Sequence, residues 1–175
     1  MYCDKLIMKY LLLIFTINFA FGQTDVFDCA RTGTLEEMKA FYIENPKQVD
    51  SLNSRGSSPL TLAAYYNNIE VANYLIDKVD NINGTSDDGT PLMAAVVKGH
   101  LEIATALVEA GADPNLTDAN GATALHYAVM FNNKKLATLL MQAGASAFMK
   151  NNVGQSPLDF AKMHDDKTLN TILNN

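Results

Sequence analysis

The chain of 175 residues is 48% hydrophobic and 18% charged, which is the composition of an ordinary globular protein and excludes a disordered or fibrous one. Its formal net charge of −6 argues against a nucleic-acid partner, because neutralising phosphates requires clustered Lys and Arg side chains. The acidic balance instead favours basic or neutral partner proteins.

The first predicted element is a signal peptide over residues 1–22. Two lysines precede an apolar run at residues 10–20, and the small residue Gly22 fits the position before a cleavage site. The run has 11 residues, whereas a membrane-spanning helix needs about 20. We therefore expect an exported protein, periplasmic or secreted, that is cleaved near Gly22 and has no stable membrane anchor. Met1 and Met8 are both possible start residues.

The rest of the chain is periodic. A four-residue stretch recurs at intervals of 32, 33 and 33 residues: Ser58–Thr61, Thr90–Met93, Thr123–His126 and Ser156–Asp159. Two apolar columns keep the same step: Val71, Ile103, Leu136 and Leu169, and Leu75, Leu107, Leu140 and Leu173. Chance does not readily hold three columns in phase, so the sequence predicts a repeat protein.

The most complete copy, Thr123-Ala-Leu-His-Tyr-Ala128, is similar to the T-P-L-H-x-A signature of the ankyrin repeat. The resemblance extends over residues 24–175 and implies an all-α solenoid of about five helix-turn-helix repeats with projecting β-turn fingers. The approximate repeat limits are 24–53, 54–86, 87–118, 119–151 and 152–175.

The repeated residues also have local structural roles. A Ser or Thr at the start of each four-residue stretch can cap a helix, and the proline that follows it in three of the four suits the first helical position. Gly111 and Gly144 are placed to end helices in a left-handed conformation. Asn67 and Asn132 stand where the family usually has glycine, and asparagine tolerates the same conformation. The finger before Thr90 is one residue short, which predicts a tighter turn.

No set of residues indicates catalysis or a metal site. The three histidines fall at unrelated repeat positions, and no Cys and His pair has metal-ligand spacing. The resemblance implies that His126 bonds to neighbouring backbone and that Cys29 is packed and unreactive. Asn83 and Asn115 begin glycosylation sequons, but each fills a repeat position and is expected to be structural. We therefore predict no enzyme activity, cofactor, metal or small-molecule substrate.

The resemblance places partner contacts on the concave side, at the finger tips and the exposed side of the first helix of each repeat. The corresponding helix positions are Tyr65, Tyr66, Val97, Lys98, Met130, Phe131, Met163 and His164. The predicted finger-tip contacts are Arg55, Asp87, Asp88 and Asn120. Aromatic and methionine side chains suit protein recognition, although some of them could instead pack under the fingers.

These observations predict an exported interaction module that binds or regulates one or more partner proteins through its concave face. The alternative is a secreted effector that acts on host proteins. The two share the fold and differ in destination.

Overall fold

The computed structural model describes residues 25–163 and 166–174, so the predicted signal peptide and His164 lie outside the described residues. The described part contains ten α-helices and no β-strand. In chain order the helices are α1 (Val26–Thr32), α2 (Leu35–Glu44), α3 (Pro59–Tyr66), α4 (Ile69–Ile76), α5 (Pro91–Lys98), α6 (Leu101–Glu109), α7 (Ala124–Met130), α8 (Lys134–Gln142), α9 (Pro157–Met163) and α10 (Lys167–Leu173). A 3-10 helix at Pro46–Asp50 follows α2. The predicted all-α solenoid is confirmed.

The helices pack in two rows. The odd-numbered helices, which we call the first helices, contact one another in sequence from α1 to α9, and the even-numbered second helices form a parallel row from α2 to α10. One helix pair falls in each predicted repeat, while the repeat limits themselves remain predictions. Both predicted columns are buried: Val71, Ile103, Leu136, Leu169, Leu75, Leu107, Leu140 and Leu173. The core therefore runs continuously along the solenoid.

The helix starts follow the predicted capping chemistry. The hydroxyl groups of Ser58, Thr90 and Ser156 each accept a hydrogen bond from the backbone N–H three residues later, at 3.2 Å. The carboxylate of Asp25 does the same at the start of α1, at 2.7 Å. The first repeat thus keeps the cap although it lacks the Ser or Thr of its neighbours.

The predicted left-handed residues are also confirmed. Gly111 and Gly144 have φ angles of 88° and 86°. Asn67 and Asn132 have φ angles of 61° and 53°, so asparagine takes the conformation that the family usually gives to glycine.

Four turns project from the first helices, and we number them as fingers 1 to 4: Asn53–Ser57, Ser86–Gly89, Asp118–Ala122 and Asn151–Gln155. In finger 2, Ser86 and Gly89 exchange two backbone hydrogen bonds of 3.1 and 2.9 Å. The other fingers close over one residue more, which confirms the tighter turn.

Hydrogen bonds join neighbouring fingers. The Ala119 N–H of finger 3 donates to the Asp87 carbonyl of finger 2 at 3.3 Å, and the Asn152 N–H of finger 4 donates to the Asn120 carbonyl at 2.9 Å. The Asn152 side-chain amide also donates to the Ala119 carbonyl at 2.9 Å. Fingers 2 to 4 therefore form one connected wall.

Between the second helices and the fingers that follow them, the sequon asparagines hold neighbouring repeats together. The Asn83 Oδ1 atom accepts the Asp113 N–H at 2.9 Å. The Asn115 Nδ2 atom donates to the Gly144 carbonyl at 2.9 Å. A glycan on Nδ2 would disrupt the second contact, which supports the structural interpretation.

Gly89→Ala is expected to destabilise the protein more than Gly111→Ala. Both glycines have positive φ, which costs an alanine about 1–2 kcal/mol. A Cβ atom on Gly89 would also lie 2.3 Å from Sδ of the buried Met93, whereas a Cβ atom on Gly111 would meet no atom within 4 Å. Urea unfolding followed by circular dichroism should give losses of about 2–3 kcal/mol for Gly89→Ala and about 1–2 kcal/mol for Gly111→Ala. Equal losses would contradict the steric argument.

Candidate partner-binding groove

A groove of about 990 Å³ lies between fingers 1 to 3 and helices α1, α3, α5 and α7. Seven residues predicted from the sequence line it: Arg55, Tyr65, Tyr66, Asp87, Asp88, Val97 and Asn120. The structure thus brings the finger tips and the helix stripe of the amino-terminal repeats to one concavity. Partner contact by these residues stays a prediction.

Two adjacent tyrosines form the aromatic part of the groove. Tyr65 is 40% exposed and Tyr66 is 52% exposed, so neither ring is packed under the fingers. Their ring centroids are 5.2 Å apart in an edge-to-face arrangement. Lys98 does not line the groove, but its Nζ atom lies 4.9 Å from the Tyr65 ring centroid, which is a cation–π distance.

Asp118 connects finger 3 to α7. Its Oδ1 atom accepts the N–H groups of Asn120 and Ala122, both at 2.9 Å, and its Oδ2 atom accepts the Tyr127 hydroxyl. Burial, followed by the hydrogen bond to Asp118, raises the pKa of Tyr127 to about 12. The phenol therefore stays protonated and holds the finger against the helix.

The sequence analysis missed Tyr127 and Asp118 as lining residues, although a signal was present. Tyr127 occupies the x position of the T-P-L-H-x-A stretch, and the equivalent residues Leu62 and Ala94 also line the groove. Because this position is one helical turn before the predicted stripe, it lies on the same concave side.

The carboxy-terminal members of the predicted stripe lie apart from the groove lining. Met130, Phe131 and Met163 are exposed, and Phe131 stacks on the Tyr127 ring with centroids 6.5 Å apart. Phe131 therefore extends the aromatic surface beyond the groove. His164, the last predicted member, is outside the described residues.

The charged finger-tip residues are available to a partner. Among the described residues the ion pairs are Arg31 with Asp28 and Lys134 with Asp166. Asp87, Asp88 and Arg55 are exposed and take part in neither pair.

The sequence matches the family description "Ankyrin repeats (3 copies)" over residues 26–118 and 110–175. The chain belongs to the ankyrin-repeat family. The recurring helix pairs and fingers described above are the structure expected of ankyrin repeats. Ankyrin repeats indicate a protein–protein interaction module.

Ankyrin-repeat relatives match part of the chain at about one-third identity. The rat protein "Ankyrin repeat and SAM domain-containing protein 6" is 32% identical over 58% of this chain and 12% of its own length. The human "Ankyrin repeat and SOCS box protein 3" is 32% identical over 63% of this chain and 22% of its own length. The Dictyostelium discoideum "26S proteasome non-ATPase regulatory subunit 10" is 33% identical over 52% of this chain and 40% of its own length. The matched segments cover less than half of each of these relatives.

The described histidines of this ankyrin-repeat chain bond to backbone. The His126 Nδ1 atom accepts the Thr123 N–H at 3.0 Å, so Nε2 carries the proton and donates to the Gln155 carbonyl at 3.1 Å. The His100 Nε2 atom lies 3.1 Å from the Tyr65 carbonyl oxygen. The backbone role expected of His126 is therefore confirmed.

Cys29 is packed as expected. It is buried, and that burial raises the pKa of its thiol to about 12, which disfavours the reactive thiolate. Within residues 25–163 and 166–174, no cluster of three or more His, Cys, Asp or Glu side chains could hold a metal ion. No helix in those ranges is long and apolar enough to cross a membrane.

Proposed function

We propose that this chain is an exported, non-enzymatic interaction module that binds or regulates a partner protein through the groove. The observation that carries the proposal is the pair of exposed rings at Tyr65 and Tyr66 inside a concavity of about 990 Å³. Tyrosine buries a large area at low conformational-entropy cost, and it is enriched among the residues that dominate binding energy.

The rigidity of the groove wall supports the same proposal. Finger 3 is bonded to finger 2 through the Asp87 carbonyl and to α7 through Asp118. A surface that is already ordered loses less entropy on binding than one that must be ordered by its partner. Membership of the ankyrin-repeat family supports a binding role in general, and one relative is named as a subunit of an assembly, the 26S proteasome.

Tyr65→Ala with Tyr66→Ala is expected to weaken partner binding by about 30-fold or more, because each ring is positioned to act as a binding hot spot. The full chain and the double variant would serve as baits in parallel captures from the producing cell. The affinity of each captured protein would then be measured directly with purified components. Phe131→Ala, tested separately, is expected to have a smaller effect because it lies beside the groove.

The matched control is Ile43→Ala with Phe148→Ala, which removes two large exposed side chains that do not line the groove. The control should leave the affinity unchanged within about twofold, and circular dichroism should show that all variants are folded. Equal binding by the double variant and the full chain would move the interface away from the groove.

Export is tested separately. Fractionation of the producing cell, with analysis of the amino terminus, should find the chain outside the cytoplasm and beginning at Gln23. Retention in the cytoplasm with residues 1–22 intact would contradict the export proposal. Detection of the chain inside the cells of a host would instead support the alternative that it is a secreted effector.

A further inference from the structure

Resting on the proposed function, we infer that the partner presents a basic segment whose Arg or Lys side chain binds among Asp87, Asp88, Tyr65 and Tyr66. We call these four residues the acid–aromatic patch. The inference specifies the chemistry of the occupant, which the repeat family alone does not give.

The residues that line the groove carry more negative than positive charge. Four carboxylates line it, from Asp25, Asp87, Asp88 and Asp118, against the guanidinium groups of Arg31 and Arg55. The Arg31 guanidinium is already paired with Asp28, outside the lining. The lining therefore has an excess of negative charge, which complements a basic segment and repels an acidic one.

Two of the groove carboxylates, those of Asp87 and Asp88, remain available to a partner. Asp118 is buried and accepts three hydrogen bonds from its own finger and α7. The Asp87 and Asp88 side chains are exposed and accept no hydrogen bond from other side chains or backbone in the described part of the chain. The tip of finger 2 is thus where a partner cation can form charge-assisted hydrogen bonds.

The two tyrosine rings of the patch differ in whether a cation already lies close to them. Lys98 already places a cation 4.9 Å from the Tyr65 ring, while Tyr66 has no cation within cation–π distance among the described residues. Tyr66 is also the more exposed of the two rings. A guanidinium group stacked on Tyr66 would cover apolar ring surface with its stem, inside the same groove that Asp87 and Asp88 line.

The pKa of Tyr127 also reflects the negative charge of the groove. The high pKa of Tyr127 owes part of its elevation to the negative charges of Asp118 and Asp88, in addition to burial. The Asp88 carboxylate also lines the groove itself. The backbone bond from Ala119 to Asp87 also fixes the position of finger 2 before binding.

A random dodecapeptide library displayed on phage, selected on the immobilised full chain, tests the inference without knowledge of the partner. Peptides that are retained should contain more Arg and Lys than the starting library. Synthetic copies of them should lose at least about tenfold in affinity for Asp87→Asn with Asp88→Asn, and their binding should weaken as salt is raised.

The matched control is Asp77→Asn with Asp80→Asn, which removes the same charge from two exposed aspartates outside the groove lining. This control should change the affinity by less than about twofold. If the Asp87 and Asp88 variant is poorly folded, the affinity of the peptides for the unmodified chain at rising salt concentration tests the charge contribution independently.

The outcomes separate the two proposals. Retained peptides that lack a basic excess but need Tyr65 and Tyr66 would overturn the inference and leave groove binding intact. Equal losses in the two aspartate variants would overturn the assigned patch, because a general charge effect would explain them. Retention of no peptide that depends on the groove would overturn both proposals.

Discussion

Leu107→Ala is expected to lower the free energy of unfolding by about 3–5 kcal/mol. Leu107 is fully buried in α6, in the central repeat, where α6 contacts α4 on one side and α8 on the other. Removing its side chain leaves a cavity that both neighbours share, and in a solenoid the coupling between adjacent repeats carries much of the stability. Urea unfolding monitored by circular dichroism measures the loss.

Leu173→Ala is the matched control because Leu173 occupies the same repeat column and is equally buried. Its helix, α10, contacts α8 and α9 in the described part of the chain. Among the second helices described, α10 therefore contacts one, whereas α6 contacts two. We expect a loss of about 1–2 kcal/mol, confined to local opening of the last repeat. A loss as large as that for Leu107→Ala would contradict the dependence on repeat position.

His126→Leu is expected to cost about 3–4 kcal/mol, because it leaves the buried Thr123 N–H and the Gln155 carbonyl without partners. The leucine keeps most of the buried volume, so the loss reports mainly on hydrogen bonding. His100→Leu, which removes a single contact with a carbonyl from a half-buried ring, should cost about 1 kcal/mol. Similar losses in the two variants would contradict the assigned role of His126.

The pH dependence of stability gives a second measurement on His126. Burial lowers the pKa of His126 below its ordinary value of 6.5 despite the opposing hydrogen bond to Gln155. Below pH 6.5 the unfolded chain therefore takes up a proton that the folded chain resists, and stability should fall from pH 6.5 towards pH 5. The His126→Leu variant should show a flatter profile in this window.

Two carboxylates respond in a different range. Hydrogen bonds from Ser156 lower the pKa of Asp159, and the contact with Lys134 lowers the pKa of Asp166, both from an ordinary value of 3.8. Their stabilising contributions are present above that value and are lost at lower pH. These two carboxylates therefore do not cause a decline between pH 6.5 and 5, and the comparison with His126→Leu measures the part of it that is due to His126.

The helices could be predicted from the sequence because their determinants are local. The Ser and Thr caps act over three residues, the left-handed Asn67 and Asn132 act at single positions, and the leucine columns pack against the next repeat. Each of these features recurs with the repeat period. A helix whose sequence signal is weak in one repeat can therefore be predicted from the equivalent positions of its neighbours. The predicted export signal lies outside the described residues and stays a prediction.

The groove was harder to predict because its shape depends on how repeats stack sideways. The repeat register predicts partner contact equally for Phe131, Met163 and Tyr65. The groove is bounded by fingers 1 to 3, and of these three residues Tyr65 lines it whereas Phe131 and Met163 do not. The contact between Tyr127 and Asp118 joins residues nine positions apart, and nothing in the repeat signature specifies it. Both ends of the stripe are exposed, so the position of the fingers, and neither exposure nor periodicity, decides which stripe residues line the groove.

The wall of fingers has a consequence for how this surface can change over time. The bonds from Ala119 to Asp87 and from Asn152 to Asn120 join backbone atoms, so they do not depend on which side chains the tips carry. Substitutions at Asp87, Asp88 or Asn120 can therefore alter the chemistry presented to a partner while the frame that presents it is preserved. Evolution or protein engineering could redirect this scaffold to a new target one tip residue at a time.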